Sequence, residues 1–332
     1  MVSFSDIRMD RRRFALATSA VALVGLPQIR PILAQESAPG DLASLGLPEL
    51  NLTVGPDSFD GLPEGDLPAG RYLLTATIAD GLEYGSASII GSPPGMSSED
   101  FLAALAGVGG GPPDAAPEGS PVAGEEDESF DMEVPLFLYM APFPGGVGGP
   151  GGTVAQGILD LPPGEWILWG DDPAVGQVPV IFNVTGEMPS DLPEPDADVT
   201  ITFIDFAISV DGNLTAGDHL AHIQNHGAQP HFVVIMKGPD TMTNDDIATL
   251  VQAMLAPEGG EGAKMPELPE LPFNPDTDLI PVFQTVQQSI ATNLWMPLSL
   301  DAGTYAGLCF FPTAGEGLPH AVHGMHTVFT VA

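Results

Sequence analysis

Residues 305–325 read YAGLCFFPTAGEGLPHAVHGM and hold the only cysteine of the 332-residue chain, Cys309. The ten residues FFPTAGEGLP separate Cys309 from His320, and Met325 follows after four more. Strand-like runs, Thr304 to Phe311 and Thr327 to Val331, frame the stretch and are rich in Val, Phe and Tyr. A thiol, an imidazole and a thioether thus sit on one connection between two strands. Pro312, Gly315 and Gly317 allow its tip to turn back on itself. Taken singly, Cys309 and Met325 are ordinary core residues; their order and spacing give them weight.

A further imidazole stands upstream. Asn225-His226-Gly227-Ala228-Gln229-Pro230-His231 precedes the apolar run FVVIM, so His231 opens a strand reaching Met236. All seven histidines (His219, His222, His226, His231, His320, His323 and His326) fall in the second half with Cys309, and the first half has neither type. A metal or redox site therefore belongs to the second half. His219 and His222, three apart on a strand, face opposite sides. His226 lies in the turn before His231, and His323 and His326 flank Met325. Two imidazoles and a thiolate in a plane, with a weak axial thioether, suit copper that passes between Cu(I) and Cu(II) with little rearrangement.

Outward from this segment, short runs rich in Val, Ile, Phe and Tyr recur between Gly, Pro and Asp. They are Arg71 to Ile78, Ala87 to Ile90, Val134 to Met140, Trp166 to Trp169 and Val178 to Val184, then Val199 to Val210 and His219 to Gln224. The pattern predicts an all-β chain of antiparallel sandwiches rather than βαβ units. The Pro- and acid-rich stretch Thr185 to Asp198 reads as a linker. Three blocks repeat in the same order on either side of it. LPAGRYLLT from Leu67 parallels LTAGDHLAH from Leu214, PPGMSSEDFLAAL from Pro93 parallels GPDTMTNDDIATL from Gly238, and LDLPPGEWILWG from Leu159 parallels LSLDAGTYAGLC from Leu298. The middle block predicts a short helix with a Ser/Thr cap and acidic first turn. The repeat aligns Tyr84 or Gly85 with His231, and Gly170 with Cys309, so the first copy lacks the ligands. Acidic, Pro/Gly-rich inserts, Gly109 to Glu128 and Pro257 to Pro275, loop out between blocks.

Charge narrows the function further. Eight basic residues face 44 acidic ones, and five of the eight (Arg8, Arg11, Arg12, Arg13 and Arg30) precede Gln35. The remaining body keeps Arg71, Lys237 and Lys264 against all the acidic residues but Asp6 and Asp10. Such a surface repels phosphate backbones and anionic lipid heads, which excludes nucleic acid and a membrane surface as partners. Residues 1–34 read as an export signal. Arg11-Arg12-Arg13-Phe14 leads an apolar run too short to span a bilayer, in the manner of a twin-arginine signal, with cleavage near Ala34. The mature chain is then extracytoplasmic, in the periplasm, at the cell surface or secreted, and carries no membrane span. Exported chains normally use cysteines in pairs; a lone Cys309 is either buried and inert or holds a metal.

These motifs carry a resemblance. N-x-G-x-x-P-H at Asn225 to His231, Y-x-x-x-C at Tyr305 to Cys309 and P-H-x-x-x-G-M at Pro319 to Met325 make residues 199–332 resemble a cupredoxin, the type 1 blue-copper fold of plastocyanin, auracyanin and the type 1 domain of copper nitrite reductase. The resemblance implies one type 1 copper per chain, held by His231, Cys309, His320 and Met325, in a Greek-key β-sandwich. It implies an electron carrier whose acidic body docks a redox protein with a basic face. Residues 35–184 would form a degenerate cupredoxin-like sandwich without metal ligands, joined by the linker 185–198. An enzyme is not expected. The trinuclear cluster of a multicopper oxidase and its type 1 site together take more histidines than this chain has. Nitrite reductases place a histidine directly before the type 1 cysteine, where Leu308 stands here. The alternative is a metal-free, cupredoxin-like extracellular binding or structural module.

Overall fold

A computed structural model describes residues 42–108, 135–170, 177–254 and 270–332. The export segment 1–34, the insert from Gly109 to Glu128 and most of the insert from Pro257 to Pro275 lie outside the described residues. Among the described residues nine strands precede the linker: β1 (Glu49–Val54), β2 (Phe59–Asp60), β3 (Leu67–Pro68), β4 (Gly70–Ile78), β5 (Tyr84–Gly91), β6 (Gly145–Pro150), β7 (Val154–Leu161), β8 (Gly164–Trp169) and β9 (Val180–Thr185). Eight follow it: β10 (Val199–Ile204), β11 (Ala207–Gly212), β12 (Gly217–Asn225), β13 (Val234–Gly238), β14 (Ile280–Gln284), β15 (Asn293–Leu300), β16 (Gly303–Leu308) and β17 (His326–Val331).

The repeat read in the sequence reappears in the strand pairing. In the first half β4 lies parallel to β1 and antiparallel to β7, while β5 pairs with β6 and β8, and β8 with β9. In the second half β12 lies parallel to β10 and antiparallel to β15, while β13 pairs with β14 and β16, and β16 with β17. Each half is a cupredoxin-like sandwich of two sheets. The burial of β1 (Leu50, Leu52, Val54) and of β10 (Val199, Ile201, Phe203) alternates, as expected of strands with one face on a core. The repeated helices are α1 (Ser98–Val108) and, in the second half, Asn244–Met254. Each has the predicted cap: Ser97 Oγ accepts from the Asp100 N–H (3.1 Å), and Thr243 Oγ from the Asp246 N–H (3.2 Å).

The halves share one sheet. Edge strand β7 pairs antiparallel with edge strand β15 through Leu159↔Leu294 and Ile158↔Trp295, giving the order β11-β10-β12-β15-β7-β4-β1-β2. The register brings Gly157 beside Met296, the same position in the other copy, so the seam is a local pseudo-dyad. A side chain at Gly157 would sit 2.8 Å from Val147 Cγ1 and 3.4 Å from Met296 Cγ, so close approach here needs glycine. Arg71 locks the seam. Its Nε and Nη2 donate to Asp160 (2.7 and 2.9 Å), Nη1 donates to the Pro193 carbonyl (2.7 Å), and its guanidinium lies 4.2 Å over the buried Trp295 ring. The linker is thereby strapped to the sheet.

Several sequence expectations are corrected. Leu136–Met140, within the expected strand Val134 to Met140, is a short helix, α2; a five-residue apolar run does not distinguish helix from strand. Val199 to Val210 is not one strand but the hairpin β10–β11, broken at Asp205-Phe206, where Phe206 takes φ 64°. The strand expected from His231 starts only at Val234, and His231 makes an isolated bridge to Gln288. Strand β6, sequence GGVGGP, was not legible because it has almost no side chains; Gly146 lies against the Ala87 carbonyl oxygen, where a Cβ has no room. No helix among the described residues is long and apolar enough to cross a membrane.

His219 and His222 do face apart on β12. His222 stacks on Trp295 (centroids 4.5 Å, 12°), whereas buried His219 bonds Asp198 Oδ2 through Nδ1 and the Thr215 carbonyl through Nε2, each at 2.7 Å. Burial opposes a charge on His219, but Asp198 and the Thr215 carbonyl outweigh it and raise its pKa. A raised pKa stabilises the fold fully below the unfolded value, about 6.5, and that stabilisation is lost as pH rises through the folded value. The His219→Gln variant is therefore expected to trail the parent in urea midpoint more at about pH 5.5 than at about pH 8.5. Equal gaps at both would show that the imidazolium contributes nothing.

Candidate metal centre

Three connections at one end of the second sandwich build the site: the β10–β11 turn, the segment 225–233, and the segment 309–325 between β16 and β17. The last closes back on itself as its glycines allow. Thr313 N–H donates to Leu318 O (2.6 Å) and His320 N–H to Phe311 O (2.8 Å), with Gly315 at φ 79° and Gly317 at φ 70° forming the tip. Ala321 N–H donates to Cys309 O (2.8 Å), and Cys309 N–H to Met325 O (3.1 Å). A 3₁₀ turn, His320–His323, ends on Gly324 in the left-handed region (φ 99°) and delivers Met325 beside Cys309. In the other connection, Asn225 donates to the carbonyls of Gln229 (2.9 Å) and Gln288 (2.7 Å) and accepts from the Gly227 N–H (2.8 Å). The backbones of His231 and Gln288 exchange two hydrogen bonds (3.0 and 2.8 Å).

This brings His231, Cys309 and His320 together, with Met325 in the same buried core. All four are 0 % exposed. His231 Nδ1 and His320 Nδ1 are 2.9 Å apart, and the Cys309 sulfur lies 3.9 and 3.6 Å from them. A triangle with these sides has a point about 2 Å from all three atoms, the bond length of first-row metals to imidazole and close to that for thiolate. Among the described residues these three form the one cluster of His, Cys, Asp and Glu that could hold a metal.

The far sides of both rings are held by acceptors. His231 Nε2 donates to Asp205 Oδ1 (3.0 Å), and His320 Nε2 reaches Gln229 Oε1 (3.3 Å), which also accepts the Ala314 N–H (2.9 Å) and is thereby fixed in orientation. With the protons on Nε2, both Nδ1 lone pairs and the sulfur aim at one space. Lone pairs that close repel unless a cation lies among them, so the donor set fits a metal ion. Sulfur with two imidazoles suits copper or zinc, and Met325, buried and hydrogen-bonded to Cys309 through its backbone, offers the thioether that favours copper.

Burial sets the protonation of the free site. It pushes the Cys309 thiol up to about 12, although the N–H groups of Phe232 and Phe311 reach its sulfur. Burial, and after it the His231 ring, push His320 down to about 3; burial also lowers His231, opposed by Asp205. Burial would raise the Asp205 carboxyl, but the N–H groups of Ala228 and Gln229 and the His231 ring hold it below the usual range. Aromatic rings wall the site. Phe206 meets His320 edge-on (5.5 Å, 87°) and His323 at 5.1 Å, and Phe311 lies 5.8 Å from His320.

His219, His222 and His226 lie away from the cluster, and His323 pairs with Glu316 (3.1 Å). Sequence reasoning missed Asp205, Gln229 and Phe206. The break of alternation at Ile204-Asp205-Phe206 marks the turn that carries two of them. It also left Gly227 without a role. A Cβ there would lie 2.5 Å from both His231 Nε2 and Asp205 Oδ1, so this contact requires glycine.

The first half is closed at the equivalent place. The ladder β5–β8 against β13–β16 puts Gly85 where His231 stands. A side chain at Gly85 would meet Ile78 (2.9 Å), Val54 (3.2 Å) and Leu82 (3.3 Å). Aliphatic side chains fill the room an imidazole needs.

No family model matches the chain, and no curated protein matches it. Among solved structures it is similar to dithionite-reduced auracyanin from Roseiflexus castenholzii (23 % identity, 40 % of this chain and 94 % of that one, TM-score 0.24). It is also similar to auracyanin A, a "blue" copper protein from Chloroflexus aurantiacus (16 %, 40 % and 96 %, TM-score 0.22). A copper-containing nitrite reductase from Thermus scotoductus aligns over both halves (10 %, 86 % and 61 %, TM-score 0.19). The strand pairing carries the cupredoxin-like fold and the donors carry the chemistry; these likenesses carry neither.

Two outcomes follow from the site. Metal uptake at neutral pH releases about one proton, from the thiol, because both rings are already neutral; calorimetry in buffers of different ionisation enthalpy measures it, and none released would mean the thiolate is preformed. The Gly227→Ala variant, with every donor intact, loses about 10- to 100-fold in metal affinity by displacing Asp205 from His231, read by competition with a chromophoric chelator.

Proposed function

We propose that the chain is an exported blue-copper electron-transfer protein, with one type 1 copper held by His231, Cys309 and His320 and Met325 as the weak axial donor. The observation that supports it is the convergence of two Nδ1 atoms and one sulfur, all fully buried, with each ring backed by its own acceptor. Copper in such a site supplies one-electron exchange with little rearrangement. The protein's part is to hold the donors, exclude water, and keep Nε2 protonated through Asp205 and Gln229.

The rest of the reading follows from sequence. Residues 1–34 would direct export, 35–184 form a metal-free sandwich, 185–198 link, and 199–332 carry the copper. The acidic body would dock a redox protein with a basic face, and mutual attraction would speed encounter at low salt. That the chain carries electrons rather than acting as an enzyme rests on its seven histidines, too few for the type 1 and trinuclear sites of a multicopper oxidase, and on Leu308 before Cys309.

Copper-loaded protein is expected to show an intense thiolate-to-copper band near about 600 nm. Cys309→Ser abolishes it, and Met325→Leu retains it while shifting the reduction potential. Protein that takes up copper without the band, or a Cys309→Ser variant that keeps it, would sink the reading; no stoichiometric copper uptake and no stability gain from copper would favour the metal-free binding module.

A further inference from the structure

Among the described residues of the first half no cluster could hold a metal, yet one of its segments touches both sides of the metal centre. Residues 139–143 end α2 and run on toward β6. The Tyr139 hydroxyl donates to the Pro312 carbonyl (3.0 Å), and its ring meets Phe311 edge-on (centroids 5.7 Å, 87°). Phe311 is no bystander. Its carbonyl accepts the His320 N–H (2.8 Å), and its ring lies against His320. Two residues past Tyr139 the same segment grips the other side. Ser289 Oγ donates to the Ala141 carbonyl (3.0 Å) and accepts the Phe143 N–H (2.7 Å), while Ser289 N–H donates to Phe143 O (2.9 Å). Ser289 follows Gln288, whose backbone brackets His231.

We propose that the segment Tyr139–Phe143 of the first half is a brace for the copper centre of the second, with Tyr139 as a positioning residue. The geometry points to it because one short segment fixes the neighbours of Cys309 and His320 at one end and of His231 at the other. Tyr139 touches neither the donors nor a metal; it acts through Phe311. Groups that orient a ligating imidazole tune the centre it would hold. A shift of Phe311 moves the carbonyl that holds the His320 N–H and the ring that lies against His320, so the first half adjusts the potential of a centre it does not contain. The inference rests on the copper reading above.

The test compares the full-length chain with Tyr139→Phe, which keeps the ring and removes only the hydroxyl, and with Ser289→Ala. Copper-loaded Tyr139→Phe is expected to show a shifted charge-transfer band and reduction potential and a copper affinity lower by up to about tenfold, with the metal-free melting temperature nearly unchanged. Ser289→Ala moves the same readouts from the His231 side. In the metal-free proteins, amide exchange at Phe311, Thr313 and His320 speeds up in Tyr139→Phe while that of β4 and β12 stays put. Wild-type band, potential and affinity in both variants overturn the brace and leave the copper reading standing. A parent protein that takes up no copper overturns the copper reading, and the exchange arm then decides the brace alone: unchanged exchange overturns it, faster exchange sustains it.

Discussion

The pairing of β7 with β15 governs much of this molecule. Each sandwich ends a sheet on an edge strand whose backbone groups need partners. Joining the two edges satisfies both and makes one sheet of the two halves. The burial of Arg71 between Asp160, Pro193 and Trp295 follows from this seam. The seam also decides which surfaces meet. With the sheets joined, the end of α2 lies over the segment that carries Cys309 and His320.

The metal centre depends on the same arrangement at one remove. A buried thiol and two buried imidazoles are costly unless each polar atom finds a partner. Here each far nitrogen has an acceptor, and each near nitrogen faces the sulfur. The site is preorganised for a cation by what surrounds it: the β10–β11 turn supplies Asp205, the loop before His231 supplies Gln229, and Gly227 leaves room for both. In the first half the same architecture packs Ile78, Val54 and Leu82 around Gly85. One duplicated framework thus serves as a metal cradle in one copy and as a filled core in the other.

Much of this was legible in the chain itself. The three repeated blocks mark β4 and β12, the paired helices with their Ser97 and Thr243 caps, and the successive strands β7–β8 and β15–β16, which cross from one sheet to the other. Local propensity and turn chemistry act over a few residues, so these signals survive without the fold. The order His231, Cys309, His320, Met325 was equally plain, because the last three lie on one connection. Gly315 and Gly317 announced the turn that lets ten intervening residues close. The failures have physical causes as well. Leu136–Met140 is apolar and short, which suits helix and strand alike, and packing against Phe311 and the first core chose the helix. β6 has glycines where a strand normally shows side chains.

The sequence by itself determined the strand-rich duplicated framework, the half that carries the chemistry, and the donor types. Those are properties of composition, periodicity and short-range order. Tertiary structure alone decided that Asp205 and Gln229 set the imidazole tautomers, that Gly85 is sealed by aliphatic neighbours, and that Tyr139 from one half steadies a loop of the other. Each is a contact between residues far apart in the chain. Only the folded packing, with edge strands joined and loops crowded at one end, brings such residues within hydrogen-bond reach.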